Sequence, residues 1–217
     1  MLFRSPEPTA PAAYRNMVLP ACTEEQLDQV HEMLSKAKQP VFVIGRGVIS
    51  EKMSDEMGKL AEMTGIPVGA LQYSPDALPT THPLALGPLG RSGFGSANRV
   101  VPKADLIVAI GAHIDVFSTM HKYGIFNQNA KLVHHSSAPG QIGIVFPVTL
   151  GVTGSTASFI KGLAARAAKS KLKKAWVDVP KARAEWEAEL QGVVKHDAVP
   201  IRSEEHTSEL QSLRHLV

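Results

Sequence analysis

Apolar positions recur along this chain with two alternating periods, one belonging to helices and one to buried strands. Leu27, Val30, Leu34 and Ala37 share one face at helical spacing, and Thr23 with Gln26 supplies a capping box ahead of them. The spacing predicts a helix through Lys38, stopped by Pro40. Val41-Phe42-Val43-Ile44 then reads as a short strand ending in Gly45-Arg46-Gly47. A second helix is expected after Ser50 as its cap, with Met53, Met57, Leu60 and Ala61 on one face up to Gly65. Ile66 to Leu71 predicts a second strand.

Residues 72–95, dense in Pro and Gly, read as loop, and Ser96 to Lys103 as a short helix interrupted near Pro102. Leu106 to Ile110 is the clearest strand and again ends in glycine, Gly111. Lys131–His134 and Val148–Leu150 predict two more. Ser155 caps a helix carrying Phe159, Ile160, Leu163 and Ala167, and a polar helix is expected from Pro180 to Lys195 with Trp186 and Leu190 on one side. Continuously apolar strands alternating with helices predict an α/β fold, a doubly wound, mainly parallel Rossmann-like sheet with helices on both faces. Such sheets bind ligands beyond the carboxyl ends of their strands, so the residues just after the strands are the candidates.

Composition narrows the function classes. The 217 residues are 44% hydrophobic and 20% charged, enough apolar material for a sizeable core. No apolar run approaches the roughly 20 residues of a membrane-spanning helix, so no membrane partner is expected. Net charge is only +3, and the one lysine cluster, Lys169 to Lys174, reads as a solvated helix end; nucleic acid is not expected as a partner. Cys22, the only cysteine, excludes an internal disulfide and fits a reducing, cytoplasmic setting.

Gly45-Arg46-Gly47-Val48-Ile49-Ser50 stands between strand and helix, where backbone amides can cradle phosphate. A bare strand-to-helix turn explains the glycines equally well. His113 and Asp115 follow the central strand and either meet a ligand there or bond to each other. His134 and His135 alternate faces on a strand and cannot grip one ion, so no metal site is expected. Ser136 and Ser137 have no base at a spacing that supports nucleophilic catalysis, and no acid–base pair stands out; no catalytic residue is assigned.

Taken in order, Pro40-Val-Phe-Val-Ile-Gly-Arg-Gly-Val, Leu60-Ala-Glu-Met-Thr-Gly-Ile-Pro-Val, His82-Pro-Leu-Ala-Leu-Gly-Pro-Leu-Gly, Ala104-Asp-Leu-Ile-Val-Ala-Ile-Gly and Asn129-Ala-Lys-Leu-Val resemble the middle domain of thiamine-diphosphate-dependent enzymes of the acetolactate synthase type. Gly87-Pro88-Leu89-Gly90, Phe117-Ser118-Thr119 and Tyr123-Gly124-Ile125 look closest to the sulfoacetaldehyde acetyltransferase branch. The resemblance implies a parent enzyme that transfers acyl groups or makes carbon–carbon bonds. It implies thiamine diphosphate and Mg2+ bound by the domains before and after this one, which are this chain's partners, in a homodimer or homotetramer.

In some members the middle domain binds FAD or an ADP-containing group, which makes Gly45, Gly47, Gly90, Gly111, His113 and Ser136 the expected cofactor-binding residues here. Where the family commonly carries aspartates this chain has His134-His135-Ser136-Ser137-Ala138, and Ser155 replaces a further aspartate. At most weak ADP binding and no retained flavin are therefore expected. A free-standing adenine-nucleotide module at Gly45–Gly47, Gly111 and Ser136, or a scaffold orienting two catalytic domains, are the alternatives.

The flanks change the domain map. Arg202 to Ser212 resembles, residue for residue, the translation of a common short-read sequencing adapter, and Leu2 to Ser5 resembles the end of the opposite one. The native stretch is expected over about Pro6 to Ile201. The expected division is an adapter scar and linker over 1–22, the central domain over 23–170, a helical linker toward a further domain over 171–201, and a non-native tail over 202–217.

Overall fold

The computed structural model describes residues 19–90, 93–116, 119 and 125–194. The expected flank and linker residues 1–18 and 195–217, and the motif residues Phe117, Ser118, Tyr123 and Gly124, lie outside them.

Thr23 caps the first helix, α1 (Glu24–Lys36), with the full reciprocal capping box: Gln26 N donates to Thr23 Oγ1 and Thr23 N to Gln26 Oε1. The chain then alternates β1 (Pro40–Ile44), α2 (Arg46–Ser50), α3 (Ser54–Thr64), β2 (Val68–Ala70), β3 (Ala85–Pro88), α4 (Gly95–Val100), β4 (Leu106–Ile110), β5 (Lys131–Ser136), β6 (Leu150–Thr153), α5 (Thr156–Ser170) and α6 (Val179–Val194). The six strands pair in parallel in the order β3-β2-β1-β4-β5-β6. The direction of winding reverses between β1 and β4, which opens a crevice at their carboxyl ends.

Alternation along each strand splits the core into two layers. Phe42, Ile44, Leu106, Val108, Ile110 and Val133 meet Leu27, Val30, Met57, Leu60, Phe159 and Ile160 from α1, α3 and α5. Val41, Val43, Ile107, Ala109 and Leu132 meet α4 residues Ala97 and Val100, with Phe126 and Val179. Each fully buried Val, Leu, Ile or Phe side chain contributes on the order of 1.5–3 kcal/mol, so the sheet centre is the most stable part of the molecule. Polar straps close the amino ends of the strands: Trp176 Nε1 donates to Pro40 O at 2.7 Å, and Lys174 Nζ to Ser35 O and Ala37 O at 2.7 and 2.8 Å.

Several expectations are corrected. Ser50 does not cap α3; it ends α2, its hydroxyl donating to Gly47 O at 3.2 Å, and α3 starts after Met53 with no side-chain cap. The supposed loop at 72–95 contains β3, whose Gly87 and Pro88 hide its strand character but are tolerated on a sheet edge. The last strand lies two residues later than Val148–Leu150, and β5 runs on to Ser136. The break near Pro102 holds, as a 3-10 turn over Val101–Lys103. Trp186 packs over Gly95, but Leu190 stays 41% exposed, so only one of the two anchors α6.

Candidate functional site

Three turns meet at the carboxyl ends of β1, β4 and β5. Gly45 N donates to Ile110 O at 3.0 Å and Gly47 N to Gly111 O at 2.9 Å, which pins the first turn flat against the second. A Cβ on Gly45 would fall 2.5 Å from Gly111 O and 2.5 Å from Ala112 Cα; one on Gly47 would fall 2.7 Å from Gly111 Cα. Gly111 adopts φ +56°, open to glycine at no cost. These glycines therefore serve a backbone-to-backbone contact within the chain.

His135 holds the same junction from β5. Gly111 N donates to its Nδ1 at 3.0 Å, which leaves the ring proton on Nε2, facing Gly154 O at 3.1 Å. The ring stacks on Phe159 at 4.3 Å. Burial pushes this imidazole down to about 4, although the Gly154 carbonyl and the Glu51 charge pull the other way. His134 faces the opposite side of β5, with Nε2 at 2.9 Å from Ala112 O and Nδ1 accepting from Gly143 N at 3.4 Å; burial lowers it too. The pair are joints of the loop framework. Among the described residues no three His, Cys, Asp or Glu side chains gather as a metal site.

The crevice holds a cavity of about 270 Å³. Of the residues singled out from sequence, Gly47, Gly111, His113 and Ser136 line it. Gly45 lies behind them, against Gly111 and Ala112. Gly90 falls after the edge strand β3, where Asn98 clamps its N–H and carbonyl at 3.0 and 2.9 Å. His113 is half exposed, 3.9 Å from Asp115 Oδ2. Arg46, Ser50, Ser137 and Gln141 complete the lining; Arg46 and Ser50 belong to the turn read as a phosphate cradle and Ser137 was weighed only as a nucleophile, whereas nothing in the sequence marks Gln141. Two larger hollows, of about 530 and 500 Å³, lie elsewhere: at the amino ends of β4, β5 and β6 beside α1, and beside Phe126 and Phe146.

Beside the cavity stands the N-terminus of α5, the other natural anion site of this crevice. It is already filled. Thr156 N and Ala157 N donate to the two carboxylate oxygens of Glu51 at 2.7 and 3.0 Å, and Ser158 N to its capping residue Ser155 at 3.1 Å. Pro20 and Cys22 dock on the same turn through Ser155 N and Ser158 Oγ, and burial raises the Cys22 thiol pKa. Glu51 carried no sequence signal: only the folded chain brings it to a helix 105 residues away.

Residues 27–163 match the family described as thiamine pyrophosphate enzyme, central domain. The chain is 36% identical over 149 residues to sulfoacetaldehyde acetyltransferase of Roseovarius nubinhibens, covering 68% of this chain and 25% of that protein. It is 33% identical over 135 residues to the acetolactate synthase isozyme 1 large subunit of Escherichia coli, covering 62% and 24%. The crystal structure of benzoylformate decarboxylase from Polynucleobacter necessarius matches in fold with a TM-score of 0.59 at 21% identity, over 74% of this chain and 30% of that one. The chain thus spans about a quarter of the length of these curated relatives.

Proposed function

The chain belongs to the thiamine pyrophosphate enzyme family as a central domain, and from that premise we propose that it is the middle domain of a larger acyltransferase or carboligase resembling sulfoacetaldehyde acetyltransferase. The observation that carries this reading is the family match over residues 27–163. The relatives carry the matching stretch as about a quarter of a longer chain, which favours a middle domain over a free-standing nucleotide module. In this reading 23–170 is the domain proper, 171–201 leads to the next domain, and 202–217 is not native.

Thiamine diphosphate, when bound in the parent, would supply the nucleophilic carbon that acyl transfer or carbon–carbon bond formation needs. In this reading, as the family resemblance implies, its diphosphate and Mg2+ would be held by the neighbouring domains. What this chain contributes is a stiff parallel sheet whose carboxyl-end turns are locked by Gly45, Gly47, Gly111 and His135. A cavity of about 270 Å³ is small for a flavin dinucleotide, which supports the expectation that none is retained. A smaller adenine nucleotide would meet Gly47, Gly111, His113 and Ser136, with neutral hydroxyls where the family places carboxylates.

Calorimetry of the 217-residue chain tests the division of labour. No thiamine-diphosphate binding, with or without Mg2+, and a colourless purified protein are expected. Measurable affinity lost on substituting a residue of this chain would sink the reading. Deleting residues 202–217 is expected to leave the melting temperature unchanged; a large drop would make that tail part of the domain.

A further inference from the structure

The stretch after α5 grips the rest of the molecule in two ways, firmly at its start and lightly toward its end. We propose that residues 171–194 form a two-part clasp: a fixed strap as far as Val179, and an arm, the remainder of α6, that lifts off α4 while the sheet stays intact. In the middle-domain reading residues 171–201 are a linker. The clasp replaces that part alone and is tested on this chain by itself, so it can fail while the reading stands.

The strap is tied into backbone. Lys171 ends α5 in the left-handed region, at φ +51°, and turns the chain across the amino ends of the strands. Lys174 N donates to Thr64 O at 2.7 Å and Lys173 Nζ to Glu62 O at 3.1 Å, which satisfies carbonyls that the end of α3 leaves open. Lys174 Nζ does the same for α1 at Ser35 O and Ala37 O, and Trp176 Nε1 holds the first residue of β1. Leu172 and Val179, 8% and 1% exposed, are buried in the two opposite core layers, so the strap stitches one to the other.

Beyond Val179 the grip is thinner. Among the described residues, Trp186 alone of the large apolar side chains there packs on the body, over Gly95. Its indole N–H is buried without a hydrogen-bond partner, a cost that release removes because water then accepts the bond. The other ties are peripheral. Arg183 Nη1 donates to His82 O at 3.3 Å, and Arg99 pairs with Glu189 at 2.6 and 2.7 Å with both side chains half exposed, where an ion pair holds little. Asp178 Oδ1 accepts from Lys181 N at 3.0 Å, so α6 keeps its own N-terminal cap as it swings. Lifting the arm breaks no strand pairing, since α6 lies outside the sheet.

Native-state hydrogen exchange of the full chain, read by NMR at low urea, tests the clasp. Amides of residues 183–191 are expected to exchange at least about tenfold faster than those of β1, β4 and Lys174, yet more slowly than in an unfolded chain. Trp186→Ala is expected to speed the α6 amides at least about tenfold further and to leave β1, β4 and Lys174 unchanged. A second measurement does not depend on that variant folding. In Trp176→Phe, Trp186 is the only tryptophan left, and its emission is expected to shift to the red at lower urea than the loss of far-ultraviolet circular dichroism. Exchange of the α6 amides at the rate of β1 and β4, exchange as fast as in an unfolded chain, equal acceleration of β4 and α6 by Trp186→Ala, or coincident emission and circular-dichroism transitions each overturns the proposal.

Discussion

Gly45→Ala is expected to cost about 3 kcal/mol of folding stability, although it adds a single methyl group. That methyl would sit 2.5 Å from both Gly111 O and Ala112 Cα, far inside ordinary contact distance. Both are backbone atoms, and their neighbours fix them: Gly45 N to Ile110 O, Gly47 N to Gly111 O, and Gly111 N to His135 Nδ1. Relief requires β1 and β4 to separate at their carboxyl ends, where they are fully buried. For a domain of this size the loss corresponds to a fall of roughly 6–12 °C in melting temperature. Gly140→Ala is the control, because a Cβ there meets nothing within 4 Å and little change is expected. Equal melting temperatures for the two variants would refute the interlocked-turn account. Gly47→Val meets the same wall at Gly111, so lost ligand binding in that variant would report on the fold before it reported on a ligand.

Stability is expected to fall by about 2 kcal/mol between pH 7 and pH 5 through His135 alone. The folded chain holds this ring neutral down to about 4, whereas an unfolded chain protonates it near the ordinary value of 6.5. Below 6.5 the unfolded state therefore binds the extra proton, and the stability contributed by the neutral ring is lost as pH falls from 6.5 toward 4. His134, also lowered by burial, adds in the same direction. Urea unfolding of wild type and His135→Phe at the two pH values measures the term. The variant keeps an aromatic ring against Phe159 but strands Gly111 N and Gly154 O, so it should be less stable at pH 7 by about 1–3 kcal/mol. Its further loss on acidification should be smaller by about 2 kcal/mol. An identical pH slope in both proteins would contradict the assignment.

How far the sequence could be read depended on whether a feature is local. Strands β1 and β4 are unbroken apolar runs between helical periods, and α1 announces itself by Thr23 and Gln26, so the layered fold was legible. β3 was not, since four residues containing Gly87 and Pro88 carry little intrinsic strand preference and are held by pairing with β2. The glycines were legible as close-approach positions, but the sequence does not say what approaches. In the folded chain Gly111 and Ala112 approach Gly45. The two histidines read as a poor metal pair, which left their part as backbone locks unseen. Glu51 was invisible because its partners lie in a helix that only the fold brings near.

The middle-domain reading is tested most directly by determining the genomic sequence on both sides of the codons for residues 23–194. The account predicts one uninterrupted reading frame about four times as long, in line with relatives of which this chain spans 25%. That frame should carry a Gly-Asp-Gly with a downstream Asn after this domain, the family's diphosphate and magnesium motif. Stop codons closely bounding residues 23–194 on both sides would contradict it.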